Sequence, residues 1–339
     1  MTIDIRRREF ITLLGGAAAM SSSLKPFAAR AQPGERVRRI AVLSGAAEDP
    51  YQRANLAALW EALAKLGWVE GRNVRIDIRF SAGDLDRIRA YAAELVSLAP
   101  NVIVVLGAVP ATRALQQATS TIPIVFPEGG DPVINGLVKN LARPEGNTTG
   151  FSNFEPVIAG KWLELLKEAA PRVTRVAAMF NSDLLSAVGT AYMSSIEAAA
   201  SVLGVQASRT PFRDAIDIVR ALDALAAEPS GGLLMLPPPL SAPNRDTIVR
   251  LAAQHRLPAI YPFRENADAG GLMSFGSNLA DQYRRAAAYV DRLLRGAKVS
   301  ELPVQFPTKY ELLVNLKTAK AIGLAIPESF LLRADEVIE

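Results

Sequence analysis

The stretch IPIVFPEGGDPVINGLVKNLARPEGNTTGFSN, residues Ile122 to Asn153, decides how the chain divides, because similar series of strands and helices lie on either side of it. Upstream, RRIAVLSGAAEDP (Arg38 to Pro50) opens a run of short apolar segments alternating with amphipathic ones, and VIVVLG (Val102 to Gly107) leads through a helix to IPIVFPEGGD (Ile122 to Asp131). Downstream, TRVAAMFNSD (Thr174 to Asp183) opens a second run, in which GLLMLP (Gly232 to Pro237) leads through a helix to LPAIYPFREN (Leu257 to Asn266). Buried strand, crossover helix, buried strand is the doubly wound α/β pattern. The stretch therefore reads as a hinge region between two similar α/β lobes with a cleft between them.

Working outward, Arg39 to Leu43 reads as a buried strand. Leu56, Leu59, Trp60, Leu63 and Leu66 then fall at helical spacing up to Gly67. Val74 to Phe80 alternates apolar residues with Arg75, Asp77 and Arg79, as a strand with one wet face does. Asp84 caps a helix through Leu98, and Val102 to Leu106 is uniformly apolar, as a strand covered on both faces requires. In the second series, helices are expected over Ser186 to Leu203, Asp214 to Ala227 and Pro243 to Arg256, with strands at Arg175 to Phe180, Val205 to Phe212, Gly232 to Leu236, Ala259 to Tyr261 and Gly271 to Phe275. The long tail beyond that is more than one lobe needs, so the chain is expected to cross the hinge again and return. The expected fold class is α/β, two Rossmann-like doubly wound lobes joined by a multi-strand hinge. Lobe 1 takes 37–150 plus 277–303, and lobe 2 takes 151–276 plus 304–339.

Residues 1–31 read as an export signal. Arg6, Arg7 and Arg8 precede Phe10, an apolar run follows from Ile11 to Met20, and Ala29 and Ala31 suit a cleavage site before Gln32. The paired arginines suit the twin-arginine route. Ser21 to Ser23 and Lys25 interrupt the run short of the ~20 apolar residues a spanning helix needs. Removing this segment takes Arg6, Arg7, Arg8, Lys25 and Arg30 against only Asp4 and Glu9, which brings the net charge of +4 close to zero. Such a chain offers no basic stripe for a nucleic-acid partner. With no cysteine there are no disulfides and no thiolate metal sites.

The lone histidine, His255, reads as a surface residue at a helix end. No HExxH, GxSxG, P-loop or GxGxxG occurs, and Gly129-Gly130 and Gly270-Gly271 lack the strand-to-helix context a dinucleotide loop needs. An enzyme is not favoured, and no cofactor or metal is expected. Ligands of open α/β sheets bind at the carboxyl ends of the strands. In the first lobe Ser44, Gly45, Gly107 and Ala108 hold such positions, where free backbone N–H groups can take a carboxylate, and where glycine also serves ordinary packing. Asp131 comes after a strand, beside Glu128, Gly129 and Gly130. It reads either as a carboxylate facing a ligand's ammonium group or as a turn aspartate capping the segment after it. In the second lobe Asn181 and Ser182, Pro237, and Tyr261 and Phe263 hold the equivalent places. The two aromatics suit stacking on an apolar or aromatic ligand and equally suit lobe packing.

On these residues the chain resembles a family, the substrate-binding components of ABC transporters in the group that includes binders of tryptophan and other aromatic amino acids. The residues are the strand opening at Ile40; the IPIVF segment with Asp131-Pro132-Val133 and Gly136-Leu137-Val138; Pro144 to Gly150; and the LPAIYP segment. Gly270-Gly271-Leu272 with Phe275-Gly276 and Asn315 to Lys320 complete the set. The resemblance implies a type I periplasmic binding protein-like fold. It implies a monomeric periplasmic protein that closes on a small-molecule solute and presents it to an ABC permease and its ATPase at the inner membrane. The ligand is left open between an amino acid, aromatic or not, and a related organic acid. An exported ligand sensor, or an exported cofactor-binding enzyme, is the alternative reading.

Overall fold

The computed structural model of the chain describes residues 37–107, 109–182, 187–237 and 242–339. The expected export segment and Ala108 lie outside them. Residues Val37–Glu339 form one compact unit. Its first sheet holds β1 (Arg38–Ser44), β2 (Val74–Phe80), β3 (Val102–Leu106), β4 (Ile124–Phe126) and β5 (Thr148–Gly150) in the order β2-β1-β3-β4-β5, all parallel. Helices α1 (Pro50–Lys65), α2 (Leu85–Ser97) and α3 (Val109–Ala118) connect them. Alternate residues of each central strand feed two cores, as the period of a strand dictates. Ile40, Val42, Val102 and Val104 face Leu56, Leu59 and Leu63 of α1. Ala41, Leu43, Ile103 and Val105 face Ile88 and Leu95 of α2 and Leu115 of α3. Asp49 starts α1 by accepting from the Gln52 amide at 2.7 Å, and Pro50 supplies the first turn without a donor.

The second sheet has the order β12-β11-β10-β9-β8-β6-β7. Its strands are β6 (Arg175–Asn181), β7 (Gln206–Phe212), β8 (Gly231–Met235), β9 (Ala259–Tyr261), β10 (Met273–Ser277), β11 (Tyr310–Asn315) and β12 (Glu336–Ile338). Helices α4 (Ile158–Ala169) and α5 (Ala187–Leu203) cover one face, with Trp162, Leu166 and Ile196 on Val176, Leu234 and Ile260. Helices α6 (Ala215–Ala226) and α7 (Ala242–Gln254) cover the other, with Leu222 and Val249 on Ala177, Leu233 and Ala259. The short α8 (Arg264–Asp268) comes after β9. The chain then leaves this sheet as α9 (Leu279–Leu294), whose Tyr283, Ala286, Ala287 and Val290 complete the core shared by the first sheet and α1. It returns as β11, antiparallel to β10, and continues into α10 (Leu316–Ile322), α11 (Glu328–Leu331) and β12.

Three details depart from the sequence expectation. Helices α8 and α11 and strand β12 carry too few residues to show a period. Strand β10 begins at Met273 because Gly270 takes φ +103° and Gly271 turns under Asn266, its N–H donating to the Asn266 carbonyl at 2.8 Å. His255 is less a dipole partner than a tie between helices, with Nε2 2.8 Å from Oδ1 of Asp223 on α6.

The chain passes between the sheets three times. Phe151 donates to the Phe126 carbonyl at 2.7 Å, Ser152 donates to the Gln305 carbonyl at 2.8 Å, and Gln305 donates to the Gly150 carbonyl at 3.1 Å. Thr149 Oγ1 reaches the Leu302 carbonyl at 2.6 Å, and the Phe151 ring lies 4.8 Å from that of Tyr289. Gly276, where β10 leads into α9, has no room for a side chain, because a Cβ there would run into the Pro262 carbonyl.

Candidate ligand-binding cleft

The carboxyl ends of β1, β3 and β4 present Asp49, Tyr51, Gln52, Gly107, Glu128 and Asp131. The carboxyl ends of β6, β8 and β9 present Asn181, Ser182, Pro237, Phe263 and α8. Helix α7 reaches the first lobe through Arg245, whose guanidinium carbon lies 5.3 Å from the ring centre of Tyr51 on α1. That side chain is 14% exposed and also pairs with Asp246 at 3.0 Å.

The β1 end offers no free amide at Gly45. Gly45 N–H donates to the Leu106 carbonyl at 3.0 Å, and its own carbonyl accepts from Gly83 at 2.7 Å. Ser44 is fully buried, its hydroxyl turned back onto Ala46 at 3.2 Å. The carboxylate-holding role expected for Ser44 and Gly45 is thus corrected: the strand ladder consumes these groups. Gly107, with φ +58°, keeps the wall open, since a side chain there would point at the carboxylate of Glu128 and the amide of Gln52, at 3.5 and 3.7 Å.

Glu128 sits at the centre of this wall. It accepts from the Tyr283 hydroxyl at 2.7 Å, and burial pushes its carboxyl up to about 7 against the lowering effect of that bond, with Glu265 and Asp49 near enough to push the same way. Glu265, on α8, is likewise raised, first by burial, with Asp49 and Asp268 adding to it and Arg245 opposing. Glu128 and Glu265 each keep some accessible surface although closely surrounded, as side chains lining an internal cleft do.

Asp131 takes the turn role. Its Oδ1 accepts from Val133 and Ile134 at 3.0 and 2.9 Å. It also lies close enough to Tyr192 of α5 to raise that phenol further above its ordinary value, after burial itself. Tyr192 stacks on Trp162 at 6.0 Å, Trp162 donates to the Phe275 carbonyl at 2.6 Å, and Phe263 lies edge-on to Phe154 at 5.2 Å. Phe154, Trp162 and Tyr192 are buried in the core of the second lobe, with the partly buried Phe263 packed at its edge.

Tyr261 is corrected too. In β9 Ile260 faces α4 and Tyr261 faces the opposite side, where it is 1% exposed among residues of α6 and α7 and against Gly271. It packs the lobe, and Phe263, two residues on, is the aromatic left at the cleft. Asn181, Ser182 and Pro237 are half-buried at the expected ends.

Sequence reasoning passed over Asp49, Gln52, Glu128, Arg245, Glu265 and Tyr283 as site residues. Glu128 carried a signal, directly beyond a central strand, whereas Arg245 and Glu265 lie inside helical segments with nothing local to mark them. Among the described residues no group of histidines and acids is arranged to hold a metal, and no helix is long and apolar enough to cross a membrane. A depression of about 660 Å³, lined by Thr121, Asn140, Arg143 and Lys298 among others, lies at the amino ends of the first sheet and contains none of these residues.

Two doubly wound lobes, a hinge of three passages and a cleft between the carboxyl ends of both sheets define the class of type I periplasmic binding protein-like folds. Residues 39–338 match the family described as ABC transporter substrate binding protein, and the chain belongs to that family. A curated tyrosine-binding protein of Clostridioides difficile is 23% identical over 270 residues, which cover 78% of this chain and 75% of that one. Among solved structures, a conserved domain protein from Vibrio cholerae is 29% identical with a TM-score of 0.81, over 89% of this chain and all of that one. The ABC domain from Streptococcus pneumonia in complex with L-Trp is 25% identical with a TM-score of 0.80, over 89% and 99%. A ligand-free, open substrate binding protein from Clostridium difficile superposes less well, with a TM-score of 0.67 at 24% identity over 89% and 99%.

Proposed function

We propose that the chain is the solute-binding component of an ABC importer, working in the periplasm as a monomer. On this reading it closes on an amino acid or a related small amine and delivers it to a permease and its ATPase, without catalysis. The observation that carries the reading is the meeting of Arg245 and Tyr51 across a cleft whose walls hold Glu128, Glu265 and Asp49. A carboxylate wall is suited to a ligand's ammonium group. Gly107, Asp131, Asn181, Ser182, Pro237 and Phe263 line the same cleft, with Ala108 beside Gly107. The lobes are 37–150 with 277–303, and 151–276 with 304–339. The better superposition on the tryptophan complex than on the open, ligand-free relative supports a closed form. Closure then needs only a ligand that touches both lobes.

The test is a thermal-shift series on protein unfolded and refolded to strip carried ligand, against amino acids, amines, aromatic acids and sugars. A ligand at 100 times its Kd adds about 2.7 kcal/mol of stability. A shift confined to compounds with an ammonium group supports the reading. A shift with sugars or with acids lacking an amine overturns it.

A further inference from the structure

The charges around the cleft do not balance. Asp49 on α1, Glu128 after β4 and Glu265 on α8 act on one another, and Asp268 on α8 adds to them. Among the described residues that face them, Arg245 is the one cation, and it already pairs with Asp246. The remaining groups in contact are the neutral phenols Tyr51 of α1 and Tyr283 of α9 and the amide of Gln52. Arg264, the next cation along α8, is engaged by Asp268 at 3.2 Å and Glu336 at 2.6 Å. The internal segments outside the described residues, 108, 183–186 and 238–241, hold no lysine, arginine or histidine in sequence.

A second observation concerns hydrogen bonding. Gln52 Oε1 has no accessible surface and no donor, on an amide whose Nε2 lies with Glu128 Oε1 at the opening left by Gly107. Glu265 accepts from its own backbone N–H, which partly offsets the rise that burial causes. A buried acceptor without a donor, as at Gln52 Oε1, is costly, so this wall calls for a ligand head that brings N–H groups. A zwitterion brings one positive and one negative group and leaves the charge count of the cleft unchanged, whereas a net cation lowers it.

We infer that the cleft selects ligands of net positive charge, amines without a free carboxylate or amino acids with a second cationic nitrogen, over zwitterions of the same shape. This rests on the amine-binding reading above and names its substrate class. The cation displaces the proton that Glu128 otherwise carries, so its binding tightens as pH rises from about 6 to about 8, while the ligand's ammonium groups stay charged.

Two matched pairs test the inference by calorimetry on stripped protein: tryptamine against L-tryptophan, which differ by the carboxylate, and L-lysine against L-norleucine, which differ by the ε-ammonium. The expected result is that, in whichever pair binds, the cation binds at least about tenfold tighter, the size of one pKa-unit-scale interaction. Glu128→Gln and Glu265→Gln should each narrow that ratio, and Glu128→Gln should flatten the pH dependence. If the zwitterion binds as tightly as its cationic partner or more so, the inference fails and the amine-binding reading stands. If neither member of either pair binds and the refolded protein instead responds to sugars or acids without an amine, both fail.

Discussion

Arg245 of α7 lies over the ring of Tyr51 of α1, 5.3 Å from its centre, and so joins the two lobes at the mouth of the cleft. The two residues are far apart in sequence and start their helices at the carboxyl ends of strands in different sheets. On the proposed reading, in which the lobes close on a ligand, this contact is a lever on the open–closed equilibrium.

Removing it should favour the open form. A cation–π contact of this partly desolvated kind contributes about 0.5–2 kcal/mol, so Tyr51→Ala should weaken ligand binding about 2- to 30-fold. Small-angle scattering of the ligand-free variant should show a larger radius of gyration than the parent. An unchanged radius and affinity would remove the contact from closure.

Glu128 should make the ligand-free protein less stable as the medium goes from acid to neutral. Its folded value, about 7, lies above the ordinary 4.5, so between these limits the folded protein holds a proton that the unfolded chain has released. Stability from this group is full below about pH 4.5 and declines as pH rises through about 7. Urea midpoints across that window should fall in the parent and fall less in Glu128→Gln.

Asp131 combines a cap with a position beside Tyr192, and two substitutions separate the roles. Asp131→Ala loses the bonds from Val133 and Ile134 and should cost about 1 kcal/mol of stability. Asp131→Asn keeps an oxygen acceptor at that turn and removes the charge. If the charge serves the ligand, Asp131→Asn loses affinity at parental stability; parental affinity in Asp131→Asn would confine the residue to the turn.

Gly276 should not tolerate a side chain. A Cβ there meets the Pro262 backbone, which has no rotamer by which to yield. Gly276→Ala should lower stability by about 1–3 kcal/mol, read as a fall in melting temperature. Gly67→Ala, where nothing lies within 4 Å, should lose less, from the positive φ alone.

The lobes were legible because each central strand is a continuous apolar run and each crossover helix has its own period and cap, as in Val102–Leu106 and the Asp49 cap of α1. The return of the chain through α9 was legible from the length left over after β10. The site was legible only in outline. The positions after β3, β4 and β6 were placed by topology, but Gly45 and Tyr261 were misread, because ladder pairing and the facing of a strand residue are settled by neighbours remote in sequence.

By itself the sequence determined the two α/β lobes, their helices and caps and the hinge region, since hydrophobic period and capping are local and survive in any packing. Only the tertiary structure decided which side chains share the cleft. Asp49, Glu128, Arg245 and Glu265 come from separate segments, and their charges act on one another only at the short separations and low polarity that the packed fold creates.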